Sequence, residues 1–236
     1  MTTLIEAHRK IIAEVVSCPP RRGRKIRVLK AGAAGDAVAT LQPGSEIYGL
    51  TMGQFSLIDL LLAVLERTGP AEVDVATWIA AQTDMDIVKE LLDRAAIEKF
   101  RLVVDRSFTR MKPTHCREIE KQFGQGCIRA VSNHSKFIVV RNEKWNIAIR
   151  TSMNLNQNPR MENFELSDCA TLSGFLTSIV DDIFTNHAPG DWDSTTTNLT
   201  NIDNSKRNGG VNDVGKITCA DTPAETKLRP DGEFQW

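Results

Sequence analysis

No stretch of this sequence is apolar for long enough to cross a bilayer. The longest apolar run is Leu60 to Leu65, against the roughly 20 residues a spanning helix needs. No charge of one sign prevails. Lys and Arg number 29 and Asp and Glu 30, for a net charge of -1 over 236 residues, which excludes a uniformly basic protein but not a local basic patch. The five cysteines, Cys18, Cys116, Cys127, Cys169 and Cys219, are odd in number and form no CxxC or CxxH pair. That argues against a disulfide framework or a zinc site and leaves reduced thiols. His115 and Cys116 are neighbours in sequence, which is not the spatial arrangement of a Cys–His nucleophile. The opening MTTLIEAHRK lacks a signal-peptide core, which predicts a cytoplasmic location without membrane attachment. No internal repeat is visible. A hydrophobic share of 41% excludes a wholly disordered or collagen-like chain, and the length suits one domain with appendages or two small ones.

Composition divides the chain into three regions. In residues 1–45, Leu4, Ile5, His8, Ile11, Ile12, Val15 and Val16 recur at helical spacing and predict a helix over 3–17, stopped by Cys18-Pro19-Pro20. Arg21, Arg22, Arg24, Lys25, Arg27 and Lys30 follow with no acidic residue among them. Residues 46–186 alternate strand-like and helix-like patterns. Strands are expected at 46–51, 72–80, 100–105, 127–132, 135–141, 145–151 and 163–168, with 135–141 and 145–151 joined as a hairpin by Asn142-Glu143-Lys144. Helices are expected at 55–67, ended by Gly69-Pro70, at 85–96 with Asp84 as N-cap, at 116–123 and at 172–184. Such alternation predicts an α/β layered domain. Residues 187–236, rich in Asn, Thr, Asp and Gly without regular hydrophobic spacing, read as a polar, flexible tail.

Chemistry concentrates in Asn133-His134-Ser135-Lys136-Phe137-Ile138-Val139-Val140-Arg141, then Arg150-Thr151-Ser152-Met153-Asn154, then Met161-Glu162-Asn163. Residues two apart on a strand share a face, so His134 projects with Lys136 and Ser152 with Asn154. Hairpin pairing would bring the four together at a strand end, where open sheets bind ligands. This set suits phosphoryl transfer. Lys136 supplies positive charge and Ser152 and Asn154 neutral donors for the non-bridging oxygens. His134 titrates near neutrality and can serve as nucleophile, acid or base. Glu162, or failing that Glu165, is the candidate carboxylate to fix its tautomer.

The pattern H-S-K-F-I-V-V-R…T-S-M-N…E-N resembles the HxK(x)4D…GSxN…EN signature of the phospholipase D superfamily, in the style of its single-motif bacterial endonucleases. The element order over 46–186 is similar as well. The resemblance implies an α/β/α layered domain with a mixed central sheet. It implies that His134 attacks phosphorus to form a phosphohistidine, that Lys136 and Asn154 hold the phosphoryl oxygens, that Ser152 assists and that Glu162 orients His134. With one motif per chain it implies a homodimer whose two-fold axis passes through the site, and it implies neither a metal nor an organic cofactor.

Two positions depart from the signature: Arg141 stands where the motif has Asp, and Thr151 where it has Gly. The Gly would permit close backbone approach to a phosphate. Arg150 and Arg160 are candidate phosphate contacts or solvated surface charges. The segment Arg21–Arg27 is similar to minor-groove AT-hook peptides, against the reading as a solvated linker. A basic arm beside a phosphodiesterase site favours nucleic acid, DNA or RNA, as the substrate. Two other functions remain: a catalytically inactive nucleic-acid-binding relative, suggested by Arg141 and Thr151, and a phospholipid phosphodiesterase or transferase, suggested by fold analogy.

Overall fold

The computed structural model describes residues 32–124, 126–157 and 159–189. The expected helix over 3–17, the basic segment with Arg21, Arg22, Arg24, Lys25 and Arg27, Cys18, Cys219 and the tail from 190 onward lie outside the described residues. In chain order the elements are α1 (Ala34–Ala37), β1 (Glu46–Thr51), α2 (Leu57–Thr68), β2 (Ala71–Ala76), α3 (Gln82–Asp93), β3 (Ile97–Asp105), α4 (Arg106–Met111), α5 (Pro113–Phe123), β4 (Ile128–Val131), β5 (Phe137–Arg141), β6 (Asn146–Thr151), β7 (Glu162–Asp168) and α6 (Ala170–Asn186). The strands form one seven-stranded sheet in the order β1-β7-β6-β5-β2-β3-β4. β2, β3 and β4 run parallel, and β5, β6, β7 and β1 add antiparallel. This is the α/β layered domain that the alternating pattern predicts, with the mixed central sheet that the resemblance implies.

Local chemistry accounts for most boundaries. Ser56 caps α2 by accepting from the Asp59 amide, while the Asp59 carboxylate accepts from the Ser56 amide at 2.8 Å. Gly69, at φ 76°, closes the helix. Gly49 in β1 leaves room for the Phe164 ring, since a Cβ there would lie 2.4 Å from a ring carbon. Three expectations shift. β2 ends at Ala76 rather than continuing to Ala80: the chain leaves β3 after the Thr77 amide, and Ala80 bridges Leu155 instead, whose carbonyl accepts from the Ala81 amide at 2.7 Å. α3 starts at Gln82, so Asp84 lies inside its first turn and is buried instead of capping it. α4 is an addition to the expected elements. Asp105 caps it by accepting from the Ser107 amide at 2.7 Å, and Pro113 then opens α5.

The two faces of the sheet are covered unequally. Val73, Val75, Leu102, Val104, Ile138, Val140, Ile147 and Ile149 pack on one side against α1 to α5. On the other side Val103, Val131, Phe137, Val139 and Ala148 meet Leu176, Val180 and Ile183 of α6. Beneath α6 lies a charged group: the Arg101 guanidinium donates to both oxygens of buried Asp74, at 2.6 and 2.8 Å, and reaches Asp181 on the helix. Arg101 and Arg129 both lie over the Phe184 ring. Burial alone would lower the pKa of Arg101, but the two carboxylates carry it upward, so the guanidinium stays charged.

Candidate active site

The topology brings four element ends to one edge of the sheet. β5 runs against β2 with Phe137 opposite Ala76, so β5 begins where β2 finishes. β6 returns to that edge with Arg150 opposite Phe137, and β7 departs from it with Phe164 opposite Thr151. His134 and Lys136 therefore precede β5, Ser152 and Asn154 follow β6, and Glu162 starts β7, all at one edge. Strand alternation is not what aligns His134 with Lys136, since both lie ahead of the strand. The loop is held by Asn133 instead. Its amide donates to Asp105 Oδ2 at 2.9 Å, its side-chain amide donates to the Thr77 carbonyl at 3.0 Å, and its Oδ1 accepts from the Ser135 amide at 2.9 Å.

This anchoring leaves His134 exposed on the crest of the loop, its ring centroid 6.0 Å from that of Trp78. The Trp78 indole donates to Ser107 Oγ at 3.0 Å, and the Ser107 hydroxyl donates to Asp105. Lys136 is half-buried. Its Nζ donates to the His134 carbonyl at 2.9 Å and lies 3.5 Å from Nδ1 of the same residue. Burial lowers the pKa of Lys136, and the negative charge of Glu162 partly offsets this.

The facing loop is tied down as firmly. Ser152 accepts from the Asn163 amide at 2.9 Å, and its hydroxyl donates to the Glu162 carboxylate. Thr151 donates to the Asn163 carbonyl at 2.7 Å and accepts from the Met153 amide at 2.9 Å, so this side chain stitches β6 to β7. Thr77 accepts from the Leu155 amide at 3.2 Å and lies 3.5 Å from Asn154 Oδ1, which links the two loops. A groove of about 680 Å³ opens here. Its lining includes the polar side chains of His134, Lys136, Ser152, Arg150 and Glu165 and the apolar ones of Phe137, Phe175 and Ile179.

Arg150 pairs with Glu165 at 2.6 Å, which engages both the candidate phosphate contact and the fallback carboxylate. Arg160 is exposed on the loop between Asn154 and Glu162. Arg141 is at the other end of β5, about 17 Å from Lys136 at ~3.3 Å per residue. There it donates to Glu72 at 3.0 Å and lies 4.0 Å from Asp74. Burial pushes the Cys116 thiol up to about 12 and Cys127 up to about 11, so neither is a thiolate at neutral pH. His115 is engaged with the Ala80 carbonyl at 3.0 Å. Among the described residues, no group of three or more His, Cys, Asp and Glu could hold a metal ion.

Sequence reasoning assigns no role to Thr77, Trp78, Asp105 or Asn133. Asp105 carries the strongest physical signature of the four. Burial raises its pKa, but hydrogen bonds from the Ser107 side chain and amide, from the Asn133 amide and from Trp78 outweigh that, and the net shift is downward. Its place at the end of a buried strand and ahead of a Ser is the available clue.

No protein-family model matches the chain, and no curated protein matches it in sequence. Solved structures do. Nuc from Salmonella typhimurium, a phospholipase D family member, aligns at 16% identity and a TM-score of 0.46 over 61% of this chain and 97% of Nuc. NucT from Helicobacter pylori aligns at 12% identity and a TM-score of 0.43, over 61% of this chain and 99% of NucT. The polyphosphate kinase of Porphyromonas gingivalis aligns at 12% identity and a TM-score of 0.43, over 58% of this chain and 26% of the kinase.

Proposed function

We propose that the chain is a metal-independent phosphodiesterase acting on nucleic acid, through a covalent phosphohistidine at a site shared by two copies. The observation that carries this reading is that His134, Lys136 and Ser152 line one groove, with Glu162 bonded to Ser152 and Asn154 beside Thr77. In the first step an imidazole nitrogen of His134 attacks phosphorus, and the bond to the leaving oxygen breaks. The protonated His134 of the partner subunit gives that oxygen its proton. In the second step that same imidazole, now neutral, takes a proton from water as the water attacks phosphorus and the N–P bond breaks. Lys136 and Asn154 hold the non-bridging oxygens, Ser152 assists, and Glu162 orients the His134 ring. The half-buried setting of Lys136 strengthens its pull on the phosphoryl oxygens.

Residues 46–186 form the catalytic domain in this reading. Arg21, Arg22, Arg24, Lys25 and Arg27, with Arg150 and Arg160, supply phosphate contacts along the strand, and the work is cytoplasmic. No helix of the described residues is long and apolar enough to cross a membrane. Arg141 lies at the far end of β5, which lessens its weight as a sign of lost catalysis.

The test is hydrolysis of single- and double-stranded DNA and RNA, and of phospholipid vesicles, in excess EDTA, by wild type and His134→Ala. EDTA-resistant cleavage of nucleic acid that requires His134 is the expected result. Salt-sensitive binding without turnover would replace it with the inactive binding protein, and cleavage confined to vesicles with the lipid enzyme.

A further inference from the structure

At the end of α3 surface cations are matched by carboxylates one turn away: Lys89 pairs with Asp93, and Arg94 with Glu90. The corner between α4 and α5 is different. Residues 106–117 hold Arg106, Arg110, Lys112 and Arg117 and no Asp or Glu, in a chain whose net charge is -1. Glu118 follows directly, but consecutive helix residues do not face each other. Arg110, Lys112 and Arg117 are exposed, and none of them forms an ion pair with a described residue. Uncompensated like charges this close repel one another, and an anion bound along them removes that cost.

This corner is tied to the His134 loop. Asp105 caps α4 and also holds the Asn133 amide. Trp78, whose ring lies against that of His134, donates its indole N–H to Ser107 in the first turn of α4. The groove opens on the α6 side of the sheet, whereas Phe108 of α4 and Cys116 and Ile119 of α5 pack on the other side. His134 and Trp78 therefore stand on the crest between the groove and the cationic corner. Trp78 is partly exposed, and the bond to Ser107 fixes the plane of its indole.

We propose that a single nucleic-acid strand crosses this crest, stacking an unpaired base on Trp78 and laying the phosphates beyond it on Arg110, Lys112 and Arg117. The inference rests on the nucleic-acid reading above and extends it from the groove to a surface on the far side of the sheet. An aromatic face beside a row of cations holds a single strand without reading its sequence, because the ring takes a base and the cations take the backbone. The six residues of α4 extend over roughly 9 Å, and the first turn of α5 over about 5 Å more. At ~3.4 Å of axis per nucleotide, that is room for about three or four phosphates. A duplex keeps its bases stacked on one another and offers none to Trp78.

Stacking and phosphate contact respond differently to salt, which separates the two halves of the proposal. The measurement is binding of a labelled oligothymidylate of ~20 nucleotides, and of a duplex of the same length, across a range of salt in excess EDTA. The full chain is used in a His134→Ala background, so that nothing is cleaved. Arg110→Gln, Lys112→Gln and Arg117→Gln together are expected to flatten the slope of log K against log salt for the single strand by about 2, at ~0.7 per phosphate contact. Arg94→Gln, Lys99→Gln and Lys144→Gln remove as many charges at the opposite edge of the sheet and are expected to leave the slope as it is. Trp78→Leu is expected to weaken single-strand binding about 10-fold at every salt concentration and to spare the duplex, and Trp78→Phe, which keeps a ring, to recover most of the loss. Equal slopes for the two triple variants overturn the cationic path. Equal losses on single strand and duplex in Trp78→Leu overturn the platform. In either case EDTA-resistant cleavage that needs His134 leaves the proposed function standing. A chain that neither binds nor cleaves nucleic acid overturns both.

Discussion

The two ends of β5 carry concavities of the same size, about 680 Å³ each, and opposite chemistry. At the turn end charge is matched within the chain. Arg141 meets Glu72, and the Asn142 side chain donates to the carbonyls of Thr68 and Pro70 at 3.0 Å each. At the start of β5 the hydrogen bonds serve the backbone instead. Asn133, Asp105 and Thr77 hold the loops, and the candidate reactive groups are left at the groove: His134 is exposed, and half-buried Lys136 is bonded to the His134 carbonyl and lies beside the histidine ring. One strand thus has a pinned end and a presenting end. Arg141, which the resemblance aligns with the motif Asp, belongs to the pinned end, where Glu72 matches its charge.

Removing the presented groups breaks the comparison most sharply. His134→Ala is expected to lower EDTA-resistant hydrolysis at least ~10³-fold, as loss of a nucleophile does. The melting temperature should stay unchanged, because the ring is exposed. A loss of stability comparable to the loss of activity would make His134 a structural residue. Lys136→Met is expected to cost about 10²-fold or more in kcat, as removing one oxyanion donor does.

Lys136 also sets a pH signature. Burial disfavours its protonated form, so its folded pKa lies below the ordinary lysine value and the alkaline limb of kcat is displaced downward. Glu162 holds it up in part. Glu162→Gln is therefore expected to move the limb to still lower pH, and an unchanged limb would separate the carboxylate from the lysine. The same shift means that charged Lys136 opposes folding at neutral pH and that this opposition fades as pH rises through its folded pKa.

Much of this is legible in the sequence because it depends on local pattern. β1 falls at Glu46–Thr51 as read, and the β5–β6 hairpin around Asn142-Glu143-Lys144 is present, since turn chemistry and hydrophobic runs fix both. The supporting shell is not legible. Thr77, Asp105 and Asn133 are separated by tens of residues and meet because β2, β3 and β4 are parallel neighbours ending at the same level. α4 escapes a sequence reading for a related reason: its six residues have too few turns to show a period, and its cap is the last residue of a strand.

Asp105 tests whether that shell matters. Its pKa is lowered in the fold, so it adds stability above the unfolded carboxylate range near 3.9 and loses it as pH falls through the folded value. Asp105→Asn is expected to remove this acid limb from the stability profile. It should also lower the melting temperature by several degrees, in line with about 1.5–3 kcal/mol for a hydrogen bond to a charged group, and lower kcat about 10-fold by loosening the Asn133 loop. A variant with wild-type kcat and a shifted acid limb would confine Asp105 to stability.

Arg141 gives the smallest effect on activity and the cleanest contrast. It pairs with a half-exposed glutamate, so Arg141→Ala is expected to cost at most about 1 kcal/mol of stability and to leave kcat within about 3-fold of wild type. Arg141→Asp restores the residue of the signature but sets it against Glu72 and 4.0 Å-distant Asp74, where like charges repel. It should therefore be less stable than Arg141→Ala. Glu72→Arg combined with Arg141→Asp rebuilds the pair with its sign exchanged and should recover part of that loss, as thermal melts of the single and double variants would show. If Arg141→Asp instead raised kcat while melting lower, the turn end would be coupled to the chemistry, and the division of β5 into a pinned and a presenting end would fall.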